Sequence, residues 1–187
     1  MCIRDRKIYE SKINQHLDHI SELVGTLLKY ARLEQEKPNL TLTENNARAF
    51  IDDMVRQLDF ENLQIQVQET GVAIPLMSDN KYLSIALNNL LNNAIKHAKT
   101  QVRVALVYTN TNIEIAISDD GLGIDPDIAQ TLFKPFIRGK NKKQSGFGMG
   151  LAIVERIAEW HQAPVSQGQC EVLTGAKFTL VFPSPYR

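Results

Sequence analysis

Four asparagines, Asn88, Asn89, Asn92 and Asn93, fall within six positions of a segment that reads as a helix from Asp79 to His97. Asparagine is a poor helix former because its side chain competes for the backbone, and each costs roughly several tenths of a kcal/mol there. Asn89 and Asn93 stand four apart and share a face, with Lys96 one turn further on. Two amide oxygens suit a hard cation and an ammonium suits an anion, and a magnesium-bound phosphate chain wants both. A solvated polar face would have the same composition, so this helix alone leaves the choice open.

A second cluster, Asp119-Asp120-Gly121-Leu122-Gly123-Ile124, ends an apolar strand. A carboxylate beside two glycines can accept from a ligand amino group that the backbone approaches closely, although an acidic turn would read the same way. The third cluster is Gly146-Phe147-Gly148-Met149-Gly150, running straight into a helix that starts near Leu151. Alternating glycines before a helix N-terminus leave backbone N–H groups free for phosphate oxygens. This is neither a P-loop, which needs Gly-Lys-Ser/Thr, nor the dinucleotide fingerprint, whose third glycine comes one residue later. Upstream, Arg138, Lys140, Lys142 and Lys143 form a basic loop that could close over phosphates or simply be a surface loop.

The elements that must position these clusters follow from periodicity. Apolar residues at Ile13, Leu17, Ile20, Val24, Leu27 and Ala31 keep a heptad rhythm, and Leu23 and Leu28 widen the stripe toward that of a four-helix bundle. One helix of this kind buries its stripe against another chain, against sequence outside this one, or against its own domain. Pro38 closes the segment. A helix is expected over Glu44–Leu58, and Leu63, Ile65 and Val67 alternate with glutamines as a half-buried strand does. Strands at Val102–Tyr108 and Ile113–Ser118 flank a turn at 109–112. A helix to His161 and a strand at Phe178–Phe182 complete an α+β fold with helices layered on a largely antiparallel sheet.

Composition narrows the function classes. The 187 residues carry 21 Lys+Arg and 21 Asp+Glu, so no net basic field points to nucleic acid or acidic membrane. No apolar run approaches the roughly 18 residues of a membrane span. No secretory leader is evident, and Cys2 and Cys170 are too few for a disulfide framework, as expected of a reducing, cytoplasmic compartment. Residues 1–6, MCIRDR, fit nothing that follows and are read as a non-native scar; the chain is then expected to lack its natural beginning.

Taken in order, the clusters resemble the signature boxes of sensor histidine kinases. Asn89-Leu-Leu-Asn-Asn93-Ala-Ile-Lys96-His97 resembles the N box, and Asp119-Asp-Gly121-Leu-Gly123-Ile the first glycine box. Leu132-Phe-Lys-Pro-Phe136-Ile-Arg138 resembles the phenylalanine box and Gly146-Phe-Gly148-Met-Gly150-Leu-Ala-Ile-Val154 the second glycine box. Gly175-Ala-Lys-Phe178 resembles a shortened last box, and Leu27-Leu-Lys-Tyr-Ala-Arg-Leu-Glu34 the end of the second helix of a dimerisation and phosphotransfer bundle. Leu122, Phe147 and Met149 depart from a frequent proline, small hydroxyl residue and leucine.

The resemblance implies the two-layer α/β sandwich of the Bergerat type, shared by histidine kinases, gyrase-type topoisomerases, Hsp90 and MutL. It implies a bundle helix over 7–38 and a catalytic ATP-binding domain over 39–187. Asn93 would hold magnesium, with Asn89 near the metal and phosphates; Lys96 and His97 would contact phosphate or ribose. Asp119 would accept from the adenine amino group, with Gly121, Gly123 and Ile124 opening the base pocket. Phe136, Arg138, Gly146, Phe147, Gly148, Met149, Gly150 and Leu151 would bound the lid over ATP. Lys96 and Arg138 would stabilise phosphate charge during transfer.

ATPase branches of the superfamily place a water-activating glutamate four residues before the magnesium-binding asparagine. Here Asn89 stands there and cannot act as a general base. Transfer to a protein histidine is therefore the expected reaction. The family's acceptor motif is missing, and the acceptor is expected outside this chain; His16 and His19 belong to the bundle helix, and His161 reads as structural. The implied partners are a response regulator receiver domain and a second copy through the bundle, with no nucleic acid and no membrane contact by this segment. The implied whole is a bacterial sensor anchored in the inner membrane. A nucleotide-binding module without transfer activity and a Bergerat-type ATPase are the competing expectations.

Overall fold

A computed structural model describes residues 3–35, 37–58, 63–139 and 147–186. The chain divides into two compact units, Met1–Lys37 and Pro38–Arg187. The first unit is one helix, α1 (Ile3–Gln35), which takes in residues 3–6. Along it the heptad positions Ile13, Leu17, Ile20, Val24 and Leu27 are all exposed.

The second unit runs β1 (Thr43–Asn45), α2 (Ala47–Gln57), β2 (Gln64–Thr70), β3 (Leu76–Ser78), α3 (Asn80–His97), β4 (Gln101–Tyr108) and β5 (Asn112–Asp119). After a single 3-10 turn at Ala129–Thr131 come α4 (Gly150–Trp160), β6 (Val165–Gln169) and β7 (Ala176–Pro183). Five strands form one sheet in the order β2-β4-β5-β7-β6, and β1 and β3 pair separately. Among the described residues only β2 and β4 run parallel, because α3 crosses between them; the other pairs are antiparallel. Helices cover one face, giving the two-layer α/β sandwich expected from the sequence.

The strand period of two sorts the sheet's residues between faces. Val102, Val104, Leu106 and Tyr108 of β4 point into the core and pair across to Asp119, Ile117, Ile115 and Ile113 of β5. Phe178, Leu180 and Phe182 of β7 extend the same inner face. Leu83, Leu87, Leu90, Leu91 and Ala94 of α3 pack against it and are nearly inaccessible. Burying such side chains fully is worth roughly 1.5–3 kcal/mol each before conformational entropy is counted.

Helix α2 begins later than its hydrophobic spacing suggests. Glu44 and Asn45 belong to β1, paired with Met77 and Leu76. The cap is Asn46, whose side chain accepts the Ala49 N–H at 2.9 Å. At the start of α3, Asp79 caps Lys81 and Tyr82 through Oδ1. Among the described residues no helix is long and apolar enough to cross a membrane.

Candidate functional site

Strand β5 delivers the most deeply placed polar group of the site. Ile113, Ile115 and Ile117 alternate onto the core face, and Asp119 is next in that row, 1 % exposed. A carboxylate there must be hydrogen-bonded to be tolerated. Its Oδ1 accepts the Gly121 N–H at 2.8 Å and the Ala176 N–H at 3.3 Å, leaving Oδ2 for a ligand donor. Burial raises its pKa, against the pull of those two N–H groups and of His97, while Asp120 beside it adds to the rise.

Close backbone approach around Asp119 explains two glycines. A Cβ on Gly175 would collide with the Asp119 carbonyl oxygen and lie 2.6 Å from the Gly121 nitrogen. A Cβ on Gly121 would collide with the carbonyl oxygen of His97, the last residue of α3. The turn after Asp119 and the end of the asparagine helix therefore touch, backbone to backbone.

On α3 the four asparagines separate. Asn88 and Asn92 are exposed, whereas Asn89 and Asn93 are half-buried. The Asn89 amide nitrogen donates to the Ile85 carbonyl at 2.8 Å, which turns its Oδ1 toward the start of α4. There a Cβ on Gly150 would sit 2.9 Å from that oxygen. Helix α4 lies antiparallel to α3. At its far end His161 Nε2 accepts the Asp79 N–H at 3.1 Å while its Nδ1 meets the Ile157 carbonyl at 2.8 Å, and Trp160 stacks edge-on against Tyr82. His161 is thus a buried structural clamp, as the sequence suggests. The clamp sets the first turn of α4 beside Asn89, and among the described residues no side chain caps that turn at Met149. Uncapped N–H groups at a helix start favour an anion.

The cationic groups sit at the surface end. Desolvation and the nearby Arg138 guanidinium lower the pKa of Lys96. His97 is lowered by desolvation and by Lys96, with Asp119 pulling the other way, so its ring is mainly neutral at pH 7. Two cations held near each other and two half-buried amide groups on one helix face form a place for a polyanion.

The phenylalanine and second glycine segments are strapped together. The Phe136 N–H donates to the Gly148 carbonyl at 2.8 Å. Gly148 has φ +70, and a Cβ on it would lie 2.6 Å from the Ile137 carbonyl oxygen. Phe136 itself takes φ 66 and is 58 % exposed, whereas its neighbour Phe133 packs edge-on against Phe178 of the core. Met149 is buried, so what it can offer a ligand is backbone. Ile124 and Leu151 are half-buried against the core, Phe147 is half-buried, and Gly123 has φ +78 at the pocket turn. Gly146, Lys140, Lys142 and Lys143 lie outside the described residues.

The structure brings Asp119, Gly121 and His97 together, joins Asn89 to Gly150, and sets Lys96 within electrostatic reach of Arg138. Residue types and spacing assign no role to Ala176, whose N–H is the second donor to the Asp119 carboxylate. Only its place one residue after a glycine in the last box hinted at it. The donor set at Asn89 and Asn93 is neutral amide oxygen, suited to a hard cation that arrives with phosphate. Gly150 keeps that space open where a Cβ would fill it.

With this geometry in place, the chain can be set beside known proteins. Residues 78–186, more than half of it, match the family described as histidine kinase-, DNA gyrase B-, and HSP90-like ATPase. The chain belongs to that family, and its sandwich is the Bergerat fold. Among curated proteins it is 28 % identical over 181 residues to the sensor protein RstB of Escherichia coli K12, covering 91 % of this chain and 40 % of RstB. It is 26 % identical over 184 residues to the sensor-like histidine kinase SenX3 of Mycobacterium tuberculosis H37Rv, covering 94 % of this chain and 45 % of SenX3. Full-length ShkA, crystallised in complex with AMPPNP, superposes with a TM-score of 0.76 at 22 % identity, over 97 % of this chain and 39 % of that one. Within the family, then, the resemblance is to the catalytic part of sensor histidine kinases, as the boxes imply. The chain spans less than half the length of these curated relatives.

Proposed function

We propose that this chain is the ATP-binding catalytic part of a two-component sensor histidine kinase. The γ-phosphoryl group leaves ADP as a P–N bond forms to a histidine outside this chain, and passes from there to an aspartate of a response regulator receiver domain. The observation that carries this reading is Asp119: a buried carboxylate with two backbone donors on one oxygen and the other free for an amino group.

In this reading Asp119 holds the adenine amino group, with Gly121 and Gly123 admitting the ring. Lys96 and Arg138 neutralise phosphate oxygens, and His97, neutral, reaches ribose or phosphate. The uncapped first turn of α4 adds backbone donors. Asn93, with Asn89 beside it, would hold magnesium together with the phosphates, and the ion would supply further charge neutralisation. Catalysis then rests on in-line positioning and electrostatics, because Asn89 stands where an ATPase needs a base. The heptad stripe of α1 fits a bundle with a second copy, the parent protein being an inner-membrane sensor whose catalytic part faces the cytoplasm.

The test is calorimetric titration with AMPPNP, with and without magnesium, on wild type and Asn93→Ala. The expected result is magnesium-dependent binding that the substitution abolishes. Wild type that is folded and binds nothing overturns the reading. With an acceptor bundle supplied separately, labelled phosphate should appear on its histidine; steady phosphate release without transfer would instead mark an ATPase.

A further inference from the structure

Asp120 lies between Asp119 and Gly121, yet its carboxylate turns away from them and across to the segment that follows α3. Oδ1 accepts the Lys99 N–H at 2.7 Å, and both oxygens accept the Thr100 N–H at 3.1 Å. Oδ2 also accepts the Thr100 hydroxyl at 2.6 Å. Its own N–H donates to the Gln101 carbonyl at 3.2 Å. Slight desolvation opposes ionisation, but the Thr100 hydroxyl and the N–H groups of Thr100, Gln101 and Lys99 hold the carboxyl well below its ordinary range. It is therefore a charged acceptor at any working pH, and such bonds are about twice as strong as neutral ones.

What this latch joins is specific. Asp119 is fixed without it, by the pairing of β5 with β4 and β7 and by the Ala176 N–H. Lys99 and Thr100 continue directly from His97, the end of the helix that bears Asn93 and Lys96. Resting on the nucleotide reading above, we propose that Asp120 is a positioning residue that sets the phosphate-binding end of α3 against the base-binding turn. It touches no ligand. Its loss frees the α3 end while the base pocket stays in the sheet, so affinity for the phosphates falls and affinity for the nucleoside does not.

The experiment measures binding of magnesium-AMPPNP and of adenosine to the full chain, as wild type, Asp120→Ala, Asp120→Asn and Thr100→Val. For Asp120→Ala the expected loss is about tenfold for AMPPNP and less than about twofold for adenosine, as small misplacement of binding groups commands. Thr100→Val removes one donor and should show the same split at about threefold, and the double variant should be no weaker than Asp120→Ala. Asp120→Asn keeps one carbonyl oxygen for Lys99 and should recover part of the loss. Equal weakening of both ligands, with a lowered melting temperature, would reduce Asp120 to a general stabiliser and overturn the proposal. Unchanged AMPPNP affinity would overturn it too. Wild type binding neither ligand sinks the nucleotide reading itself and this proposal with it, an outcome distinct from either of these.

Discussion

The two ends of the site are built on different principles. At the proposed base end Asp119 is almost wholly buried, its Oδ1 tied to backbone N–H groups from its own turn and from β7. At the proposed phosphate end the groups stand on separate elements: Lys96 and His97 on α3, Arg138 at the end of the phenylalanine segment, and the first turn of α4. Lys96, His97 and Arg138 are exposed. On the proposed reading, recognition of the base would thus be part of the sheet, whereas phosphate affinity would depend on how well independent pieces are aligned. Damage to the first should cost the binding of AMPPNP and adenosine alike, and damage to the second should cost AMPPNP binding while adenosine binding is kept.

Gly175→Ala breaks the base end and carries the largest expected effect. Its Cβ would meet the Asp119 backbone and the Gly121 nitrogen. Loss of AMPPNP and adenosine binding should accompany a stability loss of about 1–3 kcal/mol, read by urea denaturation. Gly148→Ala sharpens the contrast from the other side. It forces φ +70 on a residue with a side chain and crowds the Ile137 carbonyl, straining the strap to Phe136. AMPPNP should weaken by about tenfold with adenosine retained, at a stability cost of about 1–2 kcal/mol.

The smallest effects are in pH dependence. Protonation of Asp119 removes the acceptor, and burial raises its pKa above the ordinary 3.8. Adenosine and AMPPNP should therefore both weaken as pH falls toward that raised value. Deprotonation of Lys96 removes a cation, and desolvation and Arg138 lower its pKa from 10.5. AMPPNP alone should weaken as pH rises toward it, and Arg138→Gln should move that alkaline limb upward. Calorimetry across the pH range reads both limbs; an alkaline limb for adenosine would break the division between the two ends.

Much of this was legible because burial imposes period. The helix of α3, the strands β4, β5 and β7, and α4 follow from apolar spacing to within a residue or two of their ends. The three-residue β1 and β3 are too short for any alternation to register, and β6, Val-Ser-Gln-Gly-Gln, offers one apolar residue on an edge strand. Pairing with β3 also drew Glu44 and Asn45 out of the expected α2. In the site, residue types pointed to Asp119 and to the face of Asn89 and Asn93. Ala176 and the latch by Asp120 were hidden, because one donates through its backbone and the other acts across a gap in sequence that no local pattern reports.

The Ala176 N–H reaches Asp119 across 57 positions. During synthesis the asparagine helix and the Asp119 turn leave the ribosome long before β7 exists. A nascent chain that stops short of Ala176 carries most of the signature residues but a carboxylate without its second donor and a sheet without the strand that backs it. Long-range pairings of this kind form late. On the proposed reading, nucleotide would consequently be a ligand of the finished domain only, and a nascent chain would not capture it.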